Sequence, residues 1–547
     1  MGEAMIDAAA TETAKGLLQR WADAPRTGGV DSERRSSSAG VPLAPWYGDE
    51  APGTFPFTRG RTAGGYHDGL WVMGMYSGYG TPAETNARFR RLLEAGQTGL
   101  SVALDLPTQM GLDSDDPRAD GEVGKVGTPL DTVDDLLALL DGLPLERVRQ
   151  MRTTANAIGP IFAAFALVAM EELGIDPSSL RLMLQNDPLK EYSARGTFIF
   201  PPQASMLLAV DVVEHFAKAH PHWEPIEFCG YHIRDAGATA VQEVAIATAN
   251  GIAYLDEARR RGVDITALAP SLFLFLSTGV DVFEEAAKLR AARRLWARLL
   301  NELYGVPPEA AAVNLFVYTL GGALTAQEPL NNVVRVAYEA LAAALGGAQT
   351  LATSSYDEAL GLPTATAAHL ALRTQQIAAH ESGAAKVVDP LGGSHYVEAL
   401  TDRLEEAVVD ALVQIVDAGG GVAALESGML GDWIADSAYR FQQEVEEGTR
   451  PIVGVSIHPV EPDEVQEVFK VPVELQREQC ESLAARRAAR DGEAAGAAVA
   501  AVAAAVADGR NCMEAMIEAA RARATLGEIT AAIGSVVGFH HASQVRL

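Results

Sequence analysis

IEFCGYHIRD, residues 226–235, is an apolar run that ends abruptly in Gly-Tyr-His. A β-rich run finishing in an aromatic ring and an imidazole reads as a buried strand carrying two reactive side chains at its C-terminal tip, where α/β barrels assemble their active sites. Outward from it, the same grammar recurs in WVMGMYS (71–77), GLSVALD (99–105), QMRTTAN (150–156), RLMLQND (181–187), PSLFLFL (270–276), VNLFVYT (313–319) and AQTLATS (348–354). Amphipathic segments at 82–96, 160–173, 203–219, 240–261, 281–304 and 330–346 lie between these runs. Eight strands alternating with helices predict an α/β chain folded as a (β/α)8 barrel. Tyr76, Asp105, Asn156, Gln185, Tyr231, His232, Tyr318 and Ser354 stand where the strands end, and are expected at one mouth.

Composition limits the partners. Of 547 residues 48% are hydrophobic, enough for a large core, and 72 acidic against 43 basic residues give a formal charge of −29. Such a field repels phosphates, which excludes nucleic acid and anionic membrane as expected partners. The three cysteines, Cys229, Cys480 and Cys512, are too scattered for a disulfide framework or a zinc site and suit a reducing cytoplasm. With no apolar run of membrane-spanning length and no signal-like N-terminus, a soluble cytoplasmic protein is expected, with no metal site.

Residues 1–57 read as an N-terminal arm and extended segment, 58–400 as the substrate-binding barrel, and 401–547 as a mostly helical region. Within the last, 449–474 is a short extended piece with four prolines, and the Ala-rich run 481–509 predicts a helical pair broken near Gly492 and Gly509.

Eight collinear runs carry a family resemblance: GYGTPAETNARF (78–89), EAGQTGLSVALDLPTQMGLDSDDP (94–117), GEVGKVG (121–127), QNDPLKEYSARGTFIFPP (185–202), CGYHIRDAGA (229–238), LTAQEPLNNVVR (324–335), YDEALGLPT (356–364) and ESGAAKVVDPLGGSHYVEAL (381–400). Together they resemble the substrate-binding region of adenosylcobalamin-dependent acyl-CoA mutases, the family of methylmalonyl-, ethylmalonyl- and isobutyryl-CoA mutases, from about Phe55 to the C-terminus; DLPTQ is similar to the ethylmalonyl branch. The resemblance implies a radical carbon-skeleton rearrangement, in which a carbonyl-bearing group migrates to the adjacent carbon inside a barrel with a long axial channel that excludes water.

It also implies roles. Tyr76 and Tyr231 would wedge around the reacting carbons, His232 would hydrogen-bond the thioester carbonyl, and Gln185 would help place it. Arg195 would hold a substrate carboxylate, so that the acyl group is of the methylmalonyl, ethylmalonyl or succinyl type. Asp235 and Glu358 would contact the adenosyl ribose, with Ala103 and Leu104 lining the cofactor face. Position 235 is usually Glu in relatives, and Asp shortens the reach. The Gly-rich pieces GGALTAQ (321–327) and DPLGGSHY (389–396) read as tight turns and close backbone approaches rather than phosphate loops.

Two departures from the family pattern stand out. No stretch resembles the Asp-x-His-x-x-Gly signature of the cobalamin domain, so a separate small subunit is expected to supply cobalamin in a hetero-oligomer. The residues that grip coenzyme A are also altered: Gly74 and Met75 stand where Arg-Gln is common, Ser271 replaces an arginine, Phe273 a serine, and Tyr318 a hydrogen-bonding glutamine in the substrate site. Three readings follow: a coenzyme A thioester with remodelled contacts, an acyl group on a phosphopantetheine carrier protein, or a degenerate barrel that binds an acyl ligand without catalysis.

Overall fold

The computed structural model describes residues 15–20, 36–460 and 474–541. Most of the predicted arm and the stretch 461–473 of the Pro-containing piece lie outside the described residues. Among the described residues nine short parallel strands form two arcs. Strands β1 (Val72–Met73), β9 (Thr350–Ala352), β8 (Asn314–Thr319), β7 (Phe273–Thr278) and β6 (Glu227–Cys229) make one, in that order; β2 (Tyr76–Ser77), β3 (Gly99–Val102), β4 (Gln150–Thr153) and β5 (Leu182–Leu184) make the other.

β1 and β2 are the two halves of the first predicted strand, interrupted at Gly74 and Met75, with β1 on β9 and β2 on β3. At the other seam Leu184 N donates to Glu224 O (2.9 Å) and Glu227 N donates to Gln185 O (3.1 Å). With 72–77 counted as one bent strand, the order is that of an eight-stranded (β/α)8 barrel.

Each barrel strand is followed by a helix: Pro82–Glu94, Val133–Leu140, Gly159–Glu172, Pro202–Ala219, Ala240–Arg260, Val282–Tyr304, Asn332–Leu345 and Ala365–His380. The sequence starts them in recognisable ways. Thr81 with Glu84 and Thr239 with Gln242 form capping boxes, and Asp281 caps the helix Val282–Tyr304.

Both faces of the strands are buried, as expected where helices cover a parallel sheet. Alternation sorts them: Leu274, Leu276, Leu315 and Val317 join the outer core under the helices, while Phe273, Phe275 and Phe316 form a separate interior cluster with Met183, Cys229, Tyr231 and Ala352.

Beyond the barrel come helices His395–Asp417, Gly421–Glu426 and Met429–Glu446, then Glu474–Ala489, Gly492–Ala507, Met513–Arg521 and Leu526–Val537. The Ala-rich run is a helical pair: Asp491 caps the second helix at Gly492, and Gly509 follows its end at φ +64°. Met513, Met516, Ile517, Ile529 and Ile533 share one apolar cluster with Leu100, Val102, Leu136 and Phe162, so the last helices pack on the β3–β5 side of the barrel. Among the described residues no helix is long and apolar enough to cross a membrane.

Candidate active site

The strand delivering Gly-Tyr-His ends sooner than its composition predicts. β6 stops at Cys229, and Tyr231–Asp235 is a short helix. This turn puts Tyr231 and His232 over the C-terminal end of the strands. The Tyr231 ring stacks on Phe275 (centroids 5.1 Å apart, 5° between planes), lies 5.1 Å from the Tyr318 ring and meets His232 edge-on at 5.4 Å.

His232 is held from behind. Its Nδ1 lies 2.7 Å from Lys190 Nζ and 3.4 Å from Cys229 Sγ. Burial, then the charges of Lys190 and Arg195, pull its pKa well below the ordinary 6.5, so the imidazole is neutral. A neutral ring that accepts from Lys190 at Nδ1 carries its proton at Nε2, which leaves Nε2–H as a donor. Lys190 also pairs with the fully buried Glu191, which accepts from Thr197 as well. Burial alone would raise the Glu191 pKa, but Lys190 and Arg195 outweigh it and hold the carboxylate ionised.

Arg195 sits on a π-helical turn, Glu191–Arg195, closed by Gly196 at φ +83°. π-turns recur at functional sites because they re-aim a side chain. Its Nη1 donates to Gln109 Oε1 (2.5 Å) and lies 3.7 Å from Glu191 Oε1. The side chain is three-quarters buried and Glu191 fully so, so their pairing belongs to an interior network. Gln185 is buried and accepts from Asn156 Nδ2 (2.8 Å), and Tyr76 Oη is 3.4 Å from Thr154 Oγ1.

Gly321, after β8, gathers a second group. A Cβ there would lie 2.9 Å from Glu358 Oε1, 3.4 Å from Tyr231 Oη and 3.6 Å from Asp235 Oδ1. Asp235 Oδ1 also accepts from Gly322 N (2.8 Å). Burial raises the Glu358 pKa to about 7, against the hydrogen bond from Ser354. Two carboxyls and a phenol around bare backbone make a cradle rich in acceptors, which suits the vicinal hydroxyls of a ribose.

Ala103 is buried after β3, its carbonyl accepting from Thr128 N (2.8 Å). Leu104, beyond the end of β3, is fully buried and belongs to the same apolar cluster as Leu100 and Val102. Sequence reasoning missed Lys190 and Gln109. Both lie inside motifs quoted for the resemblance, but nothing in their spacing says that they converge on His232 and Arg195. Among the described residues no cluster of His, Cys, Asp and Glu could hold a metal.

Large side chains meet inside the barrel. Phe275 stacks on Phe316 (4.1 Å, 13°), and the Arg152 guanidinium lies over Phe316 at 3.4 Å from the ring centroid. A separate cavity of about 250 Å³ opens at the N-terminal end of the strands, where Arg59, Arg61, Arg149, Arg181, Arg290 and Arg293 line it together with the aromatic rings of Tyr66, Trp71 and Phe273. Ser271 is not in that lining; its hydroxyl donates to Leu268 O (2.8 Å).

Comparison with known proteins agrees with the geometry. The family model described as methylmalonyl-CoA mutase matches residues 36–539. Methylmalonyl-CoA mutase of Cereibacter sphaeroides is 41% identical over 524 residues, 94% of this chain and 74% of that protein. The Escherichia coli K12 methylmalonyl-CoA mutase is 40% identical over 92% of this chain and 72% of its own length. A Streptomyces virginiae protein named methylmalonyl-CoA mutase large subunit is 40% identical, covering 90% of this chain and 68% of its own.

Proposed function

The chain belongs to the methylmalonyl-CoA mutase family, B12-dependent isomerases, and from that membership we propose that it is the substrate-binding subunit of an adenosylcobalamin-dependent carbon-skeleton mutase. In this reading a separate small subunit carries cobalamin, and the substrate is a carboxylated acyl thioester of the methylmalonyl, ethylmalonyl or succinyl type. The observation that carries it is the pairing of a neutral His232, backed by Lys190, with a three-quarters-buried Arg195 in one network through Glu191.

Each residue then has a task. Nε2–H of His232 donates to the thioester carbonyl and stabilises negative charge that develops on that oxygen during migration; being neutral, it polarises without giving up its proton. Gln185 orients the same carbonyl, its own amide fixed by Asn156. Arg195, pointed by Gln109 and Glu191, receives the free carboxylate in a bidentate fork. Tyr76, Tyr231 and Tyr318 wall the reacting carbons and keep water out.

Asp235, Glu358 and the Gly321 backbone would hold the adenosyl ribose, with Ala103 near the same face. When bound, adenosylcobalamin supplies radical hydrogen abstraction. Support for the separate small subunit comes from the Streptomyces relative, named as a large subunit.

The test is reconstitution of the chain with candidate small cobalamin-binding subunits and adenosylcobalamin, following isomerisation of methylmalonyl and ethylmalonyl thioesters by mass. Turnover that needs both chains supports the reading. Failure with every carboxylated thioester, while the two chains and cofactor form a stable complex, would remove it.

A further inference from the structure

β4 and β8 face each other across the barrel: β4 is third from the bent first strand, and β8 is four strands further on. Side chains from opposite strands that touch therefore close the axis. Arg152 on β4 and Phe316 on β8 do so, with the guanidinium 3.4 Å from the ring centroid. Phe275 continues the column at 4.1 Å from Phe316, and Tyr231 stacks on Phe275 at 5.1 Å. Arg152, Phe275 and Phe316 are each at most 4% exposed.

The arginine is bound into this arrangement. Its Nη2 donates to Gly74 O (3.3 Å), and a Cβ at Gly74 would lie 3.4 Å from that nitrogen. Gly74 is the position where the family resemblance leads one to expect an arginine; here Arg152 occupies the space in front of it. The N-terminal cavity reaches Phe273 and Thr350, while Arg152, Phe275 and Phe316 are absent from its lining. An arm running from that cavity to the reaction site would pass the level of the column, roughly 13 Å of strand from Phe273 to Ser277 at about 3.3 Å per residue.

We propose that the column of Arg152, Phe316 and Phe275 determines carrier specificity: it closes the barrel axis to a pantetheine-length arm, so that the acyl group enters on a short thioester at the C-terminal mouth. The proposal rests on the mutase reading and deepens it. A coenzyme A ester, or a phosphopantetheine arm threaded along the axis, would have to displace a cation and two stacked rings that fill it.

Calorimetric titration of the full chain with the methylmalonyl thioester of N-acetylcysteamine and with methylmalonyl-CoA tests it. The short ester is expected to bind at least tenfold more tightly, and the double variant Phe275→Ser, Phe316→Ser to bring the coenzyme A ester level with it. The milder Phe316→Leu, which keeps a bulky apolar side chain on the axis, is expected to retain the wild-type preference and controls for folding. Coenzyme A ester binding to wild type as tight as that of the short ester overturns the closed axis and leaves the mutase reading standing. Binding by wild type of neither the short nor the coenzyme A ester of any of the methylmalonyl, ethylmalonyl and succinyl groups removes the mutase reading and the inference with it.

Discussion

Nζ of Lys190 lies 2.7 Å from Nδ1 of His232. That contact fixes which imidazole nitrogen is free to donate, and it links the imidazole to Arg195 through Glu191. Lys190→Met removes one of the two cations that depress the His232 pKa but leaves burial, the larger cause. The pKa is expected to rise while staying below 6.5. The folded imidazole binds its proton less readily than the unfolded one. This group's contribution to stability is therefore present above about pH 6.5 and lost as pH falls toward the folded pKa. Titration of labelled histidine by NMR reads the shift; an unchanged pKa would contradict the pairing.

His232→Asn keeps a donor but not the reach of Nε2. By analogy with removing one oxyanion donor, kcat is expected to fall about 10²- to 10³-fold with little change in KM. Steady-state kinetics of the reconstituted enzyme measures both. A rise in KM alone would mean that His232 only binds substrate.

Arg195→Met should separate two classes of acyl group. A charged hydrogen bond is worth about 1.5–3 kcal/mol, so carboxylated thioesters are expected to bind roughly 10- to 150-fold more weakly. Esters without the carboxylate, such as isobutyryl, should bind no worse. An equal loss for both classes would show that Arg195 supports the Glu191 network without touching substrate.

Much of this site was legible in the sequence, and the gaps have physical causes. The tips of eight apolar runs gave Tyr76, Gln185, Tyr231, His232 and Tyr318, because strand alternation and length are local properties. The switch from strand to helix at Gly230 was not legible, since YHIRD has no strong local preference and its helix is set by tertiary packing. Lys190 acts across 42 residues on His232, and such convergence is a property of the closed fold. Filling of the axis was half visible: Phe273 and Tyr318 were noticed as replacements, but Phe316 meeting Arg152 across the barrel needed coordinates.

Glu227, inside the barrel on β6, gives a pH prediction of the opposite sign to His232. Burial raises its pKa to about 8, with Arg152 pulling the other way and Glu224 adding to the rise. The folded value stands above the unfolded one of about 4.3. Its contribution to stability is therefore full below that value and is lost as pH rises through about 8, at about 1.4 kcal/mol per pK unit. Glu227→Gln, which mimics the protonated form, should melt like wild type near pH 5 and increasingly above it toward pH 8. A melting difference constant across that range would mean that Glu227 is ionised in the fold.

Gly321 offers the sharpest separation of cofactor from substrate. Its φ is not in the left-handed region, so Gly321→Ala costs little in backbone strain. The added methyl would instead stand 2.9 Å from Glu358 Oε1 and 3.4 Å from Tyr231 Oη, inside the cradle read as the ribose site. In the complex with a small cobalamin-binding subunit, adenosylcobalamin is expected to bind at least tenfold more weakly to the variant. Hydroxocobalamin, which lacks the adenosyl group, should bind as it does to wild type, and so should a carboxylated short thioester. Visible absorption of the two cobalamins reads the comparison. Equal weakening of both cobalamins would place the effect in the docking of the small subunit. No weakening of either would take the adenosyl ribose away from Asp235 and Glu358.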